Sequence, residues 1–133
     1  MSSIIENRIE DKILSKLKEL LNYDSTVSFV FIFGSYVRKR QKGASDIDIA
    51  IYFNKPPDGI DLLHLINKLS DLTGKNVDLI VLNSASAFLR HQVMKHGIPL
   101  IIKDKTTYRQ FREKTICDCD EYKFVSGMNI YDR

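Results

Sequence analysis

The sequence predicts an α/β fold, and three observations carry that expectation. Stretches with apolar residues at helical spacing alternate with short runs of β-branched and aromatic residues. One such run ends in Gly34-Ser35, a small turn suited to an anion. After a gap of ten residues comes Asp46-Ile47-Asp48, two acids at the head of a second strand-like run.

At 133 residues the chain is expected to form one domain, 1–133, burying about two-thirds of its unfolded surface. Hydrophobic residues make up 44% and charged residues 28%, and no apolar run approaches the ~20 residues of a membrane span. The first residues, which include Glu6 and Arg8, do not read as a signal peptide, so a cytoplasmic location is expected. A formal charge of +3 is too small to argue for direct nucleic-acid binding. Only Cys117 and Cys119 are available for thiol chemistry; they make no zinc knuckle and read as free thiols.

The elements follow in order. Ser3-Ile4-Ile5-Glu6 has the form of a capping box, and Ile5, Ile9, Ile13 and Leu17 then repeat at helical spacing, giving a helix that ends near Asn22. Val27 to Phe33 is almost unbroken apolar sequence, which suits a central strand buried on both faces. Gly34-Ser35 follows, with a short helix expected from Tyr36; its free N–H groups and positive end favour an anion. Within Asp46 to Phe53 the alternation places Ile47, Ile49, Ile51 and Phe53 on one face and Asp46, Asp48 and Tyr52 on the other. Two carboxylates so close repel each other, and a shared divalent cation with oxygen preference, magnesium above all, reconciles them.

Asn54 to Gly59 breaks the chain, and Asp58 is placed to cap a helix with Ile60, Leu63, Ile66 (with Leu62), Leu69 and Leu72 inward, ended by Gly74. Asn76 to Leu82 reads as a strand. Its Asp78 is too costly to bury unpaired, so it stands at an exposed strand end, is hydrogen-bonded, or lies near a cation. Ser84 starts a helix closing at Gly97, and Ile98 to Ile102 is a short strand that Pro99 assigns to a sheet edge. A C-terminal helix from Thr106 with Tyr108, Phe111 and Thr115 follows; Cys117 to Glu121 is acidic and lacks an apolar stripe, and Phe124 to Ile130 reads as a loose or partner-dependent tail.

Gly34-Ser35, the ten-residue gap, Asp46-x-Asp48 and the later Asp78 together resemble a minimal nucleotidyltransferase of the DNA polymerase β-like superfamily, over about residues 27–103. The resemblance implies the polymerase β-like fold, an α/β (α+β) arrangement with a mixed β-sheet flanked by helices. With its early motif Gly34-Ser35-Tyr36-Val37-Arg38, the chain is similar to the antitoxin half of pairs formed with HEPN-domain ribonuclease toxins. Relatives often have glycine where Lys39 stands here.

That likeness implies a Mg²⁺-dependent enzyme that transfers AMP from ATP to a tyrosine of a partner HEPN toxin. Asp46 and Asp48 would hold magnesium at the triphosphate. Asp78 would share a metal and take the acceptor's proton. Gly34 would allow close backbone approach and Ser35 would meet the β- and γ-phosphates. Arg38 is placed for a phosphate, a partner's acid, or solvent. Tyr52 either flanks the nucleotide or packs. His64, His91 and His96 are assigned no chemistry. Two alternatives stand beside this reading: a binding module that silences its partner by occlusion, and a small-molecule nucleotidyltransferase, although the latter usually adds a second domain.

Overall fold

The computed structural model describes residues 2–33 and 46–131, with side chains placed for residues 12–33 and 47–118. The chain runs α1 (Ser2–Tyr23), β1 (Val27–Phe33), β2 (Asp46–Phe53), α2 (Gly59–Thr73), β3 (Asn76–Val81), a 3₁₀ turn (Leu82–Ser84), α3 (Ala87–His96), β4 (Ile98–Ile102) and α4 (Lys105–Tyr131). The four strands form one mixed sheet in the order β3-β2-β1-β4. β1 is antiparallel to both β2 and β4, whereas β2 and β3 are parallel. Parallel neighbours need a crossover, and α2 supplies it.

The alternation in β2 sorts the core into two layers. Ile47, Ile49, Ile51 and Phe53 join Val30 and Ile32 of β1 and pack against Leu17 and Leu21 of α1 and Leu69 of α2. Phe29, Phe31 and Ala50 line the opposite face beneath Val93 of α3 and Phe111 of α4. β1 serves both layers, and six of its seven residues are buried, as its unbroken apolar run predicts. Burying each such aliphatic or aromatic side chain contributes about 1.5–3 kcal/mol before entropy is counted.

Helix ends follow the cap residues, with one revision. Asp58 accepts the Asp61 N–H at 2.8 Å, and Gly74 closes α2 in the left-handed region at φ 69°. α3 begins later than expected: Ser84 lies in the 3₁₀ turn, and Ser86 is the residue whose hydroxyl accepts the Leu89 N–H at 3.1 Å. Asp104, unremarked in the sequence, caps α4 by accepting from the Thr107 N–H (3.1 Å) and hydroxyl (2.7 Å), which holds its carboxyl below the usual range.

The inward face of α2 is rotated from the expectation. Leu69 is buried as expected, but Ile60 and Leu63 are exposed and Leu65, not among the expected residues, packs against the core. Several apolar residues on a short helix are compatible with more than one stripe, and the contact with α1 selects one.

α4 also departs from the expected loose tail, because the helix continues to Tyr131. Its first half is anchored by the buried Phe111 and Thr115 and by Arg90 of α3, which donates to the Thr115 hydroxyl (3.2 Å) and to Asp118 (2.9 Å). The Arg90 hydrogen bond holds the Asp118 carboxyl below its usual range. This Arg90 clamp gave no sequence signal, since its partners lie 25 and 28 residues away.

Gly97 ends α3 where a side chain has no room. A Cβ there would lie 2.5 Å from the Val93 carbonyl and 3.2 Å from the Phe31 ring. Gly97→Ala is therefore expected to cost about 1–3 kcal/mol, read as a lower denaturant midpoint at unchanged slope. A neutral effect would show that α3 and β1 separate more easily than their packing implies.

Candidate active site

The acids predicted from the sequence meet across the β2–β3 pair. The parallel register sets Asp48 directly beside Asp78, with Asp46 opposite Asn76 one pleat away. Paired residues of neighbouring strands share a face, and their Cα atoms stand about 4.8 Å apart. Asp78 is exposed and Asp48 half-buried. Of its three sequence alternatives, exposure is the one observed, although Asp78 is the third residue of β3 and not its end.

The same sheet end receives the C-terminus of β1. Phe33 pairs with Asp48, and Gly34 is the next residue in the chain. Gly34, Ser35, Arg38 and the short helix expected from Tyr36 lie outside the described residues, as does the side chain of Asp46. Among the described residues no group of three His, Cys, Asp or Glu side chains assembles as a metal set. The donors that do come together, Asp48 and Asp78, are oxygen-only and carry negative charge. That chemistry fits a hard divalent cation and no soft one.

Tyr52 shares the acids' face but belongs to the core. Its ring stacks on Phe29 at 5.1 Å and 5°, and Phe111 meets it at 5.6 Å. Packing, the second of its two sequence readings, is what the structure shows. The aromatic group of Phe29, Phe31, Tyr52, Tyr108 and Phe111 packs over the part of this face away from Asp48 and Asp78.

One supporting residue had no sequence signal. The Asn83 side-chain amide donates to the Phe53 carbonyl at 2.8 Å and accepts the Phe53 N–H at 2.9 Å. It ties the 3₁₀ turn after β3 to the end of β2 and so braces the two acid-bearing strands against sliding. An Asn just past an apolar run reads equally well as an ordinary turn residue.

The mixed four-stranded sheet thus carries acids in register on its parallel pair, at the end where β1 leaves. The chain belongs to the polymerase beta nucleotidyltransferase family, whose model matches residues 15–106. It is 48% identical over 73 residues to a protein of Methanocaldococcus jannaschii described as a candidate protein adenylyltransferase, a match covering 55% of this chain and 74% of that one. It is 35% identical over 88 residues to the protein adenylyltransferase MntA of Shewanella oneidensis, covering 66% of this chain and 61% of the relative. Among solved structures, a chain of a toxin–antitoxin complex with AMP-PNP superimposes with a TM-score of 0.76 at 31% identity, covering 90% of this chain and 96% of that one. A chain from the complex of a tri-AMPylated Shewanella oneidensis HEPN toxin with its MNT antitoxin matches with a TM-score of 0.69 at 30% identity, covering 95% and 96%. No helix among the described residues is long and apolar enough to cross a membrane.

Proposed function

We propose that this protein is an antitoxin that transfers AMP from ATP to a tyrosine of a HEPN-domain ribonuclease toxin, using magnesium. The observation that carries the reading is the register that sets Asp48 beside Asp78 at the end of β1. The named relatives and the AMPylated-toxin complex support the choice of nucleotide and partner.

In this reading Asp46, Asp48 and Asp78 hold Mg²⁺, which when bound supplies charge neutralisation at the triphosphate. Gly34 and Ser35 receive the phosphates, and Arg38 adds a positive charge beside them. The tyrosine oxygen attacks the α-phosphorus, and the new O–P bond forms as the bond from the α-phosphorus to the bridging oxygen breaks. Pyrophosphate leaves with that electron pair, and the phenol proton passes to the Asp78 carboxylate. Positioning and electrostatics supply most of the acceleration in such transfers. In this reading the partner holds the acceptor tyrosine in line with the α-phosphorus.

Asp78→Asn is expected to keep much of the nucleotide binding and to lose about 10²–10⁴ in rate, because an amide hydrogen-bonds but takes no proton. Equilibrium nucleotide binding alongside single-turnover transfer separates the two effects. Full transfer activity would reduce Asp78 to a structural acid.

The test of the whole reading is to incubate the protein with labelled ATP, magnesium and its candidate HEPN-domain partner, then weigh the partner intact. One or more added AMP units on a partner tyrosine is the expected outcome. A tight silencing complex with no mass change would replace the enzyme by a binding module acting through occlusion.

A further inference from the structure

One row of β3, Val77, Leu79 and Val81, lies beside Ile47, Ile49 and Ile51 of β2, and both rows pack in the first core layer. Strand side chains repeat every two residues, so a slip of one turns this row to the wrong face, whereas a slip of two exchanges one aliphatic residue for another. The apolar pattern alone leaves the register open by steps of two. In one direction such a slip sets Asp78 beside the buried Ala50 in the aromatic layer, where an unpaired carboxylate is costly. In the other it sets Asp78 beside Asp46, Ile80 beside Asp48 and Leu82 in the place of Ile80, and no charge is buried. Asn83 opposes this second slip, because its amide would move beside Ile51 in the first layer.

Asn83 also holds the observed register directly. It stands where the ladder would continue beside Phe53, two steps beyond the Ile51–Val81 pair. The chain has by then turned into the 3₁₀ segment Leu82–Ser84. The side-chain amide completes the ladder in place of the backbone, donating to the Phe53 carbonyl at 2.8 Å and accepting the Phe53 N–H at 2.9 Å. Phe53 is buried, and a buried backbone pair left without partners is costly.

We propose that Asn83 is a positioning residue for the transfer reaction: by clamping Phe53 it selects, among registers that the apolar rows accept, the one that sets Asp78 beside Asp48. The inference rests on the transfer reading above and adds what holds two of its acids together. A slip of two residues moves Asp78 about 6.6 Å along the strand and takes its Cα from about 4.8 Å to about 8 Å from that of Asp48. Ile80 then fills the place beside Asp48 and offers no ligand atom, which weakens a site for a cation that demands near-octahedral oxygen ligands.

Two substitutions separate the clamp from general support. Asn83→Val removes both hydrogen bonds and supplies a side chain that the first layer accepts, so it favours the slipped register. Asn83→Asp still accepts the Phe53 N–H and is too costly to bury, so it holds the native one. Register is read by NMR in the isotope-labelled full chain, without partner, nucleotide or metal, from cross-strand contacts between backbone protons of β2 and β3. AMP transfer to the candidate HEPN-domain partner is then followed by intact mass across a magnesium titration.

For Asn83→Val the expected result is new contacts between Asp48 and Ile80, with a magnesium requirement raised at least about tenfold, the lower end of the loss when groups that orient metal ligands are removed. Asn83→Asp is expected to keep the Asp48–Asp78 contacts and a magnesium requirement close to that of the unsubstituted chain. Native contacts alone in Asn83→Val, or a shifted register with an unchanged magnesium requirement, overturns the positioning role. Equal impairment of the two variants also overturns it and marks Asn83 as a structural support. If Asn83→Val does not fold, Asn83→Ala is read in the same two ways. Absence of transfer by the unsubstituted chain overturns the transfer reading and the positioning role with it, while a register shift in the NMR arm still shows that Asn83 selects the pairing.

Discussion

Replacing Asp46 and Asp48 together by alanine is expected to abolish nucleotide transfer, by about 10³-fold or more, while cooperative unfolding persists. Both acids stand outside the row Ile47, Ile49, Ile51 and Phe53, whose members are buried against α1 and α2. Their removal therefore opens no cavity in that layer, and it relieves repulsion between neighbouring carboxylates. Transfer is measured as labelled AMP on the partner and stability by denaturant titration of the same preparation. Unchanged transfer would remove the acids from the site. Loss of cooperative unfolding would show that they support the sheet itself.

The largest stability effect is expected from Phe29→Ala, at about 3–5 kcal/mol. Phe29 has no solvent exposure and sits at the centre of the second core layer. Its ring meets Phe31, Tyr52, Tyr108 and Phe111 with centroids 5.0–6.1 Å away. Those four rings come from β1, β2 and α4, so truncation leaves a cavity that no single neighbour is able to fill. Domains of this size are stable by about 5–15 kcal/mol, so the variant loses a large fraction of its margin. Chemical denaturation with a fixed slope measures the loss. A decrease under about 1 kcal/mol would mean that α4 collapses inward and the layer is less tightly packed than the ring distances indicate.

What the sequence by itself determined is the local order of elements and the chemical character of the site. The period-two pattern of β2 separates acids from core residues because consecutive side chains in a strand point to opposite faces. The apolar run of β1 implies an interior strand, Asp58 and Gly74 bracket α2 through capping chemistry, and Pro99 assigns β4 to an edge. Each of these is a short-range constraint, legible within a few residues.

Tertiary structure decided what depends on pairs far apart in the chain. The partnership of Asp48 with Asp78 is a register between strands 30 residues apart, and no local pattern sets it. The same holds for Asn83 on the Phe53 backbone and for Arg90 on Thr115 and Asp118. Tyr52 was open to two readings until α4 brought Phe111 against it. The inward face of α2 likewise had several apolar candidates until packing kept Leu69 inward, added Leu65 and left Ile60 and Leu63 exposed. Periodicity states that a face is buried, whereas the neighbour that buries it is chosen by packing over the whole chain.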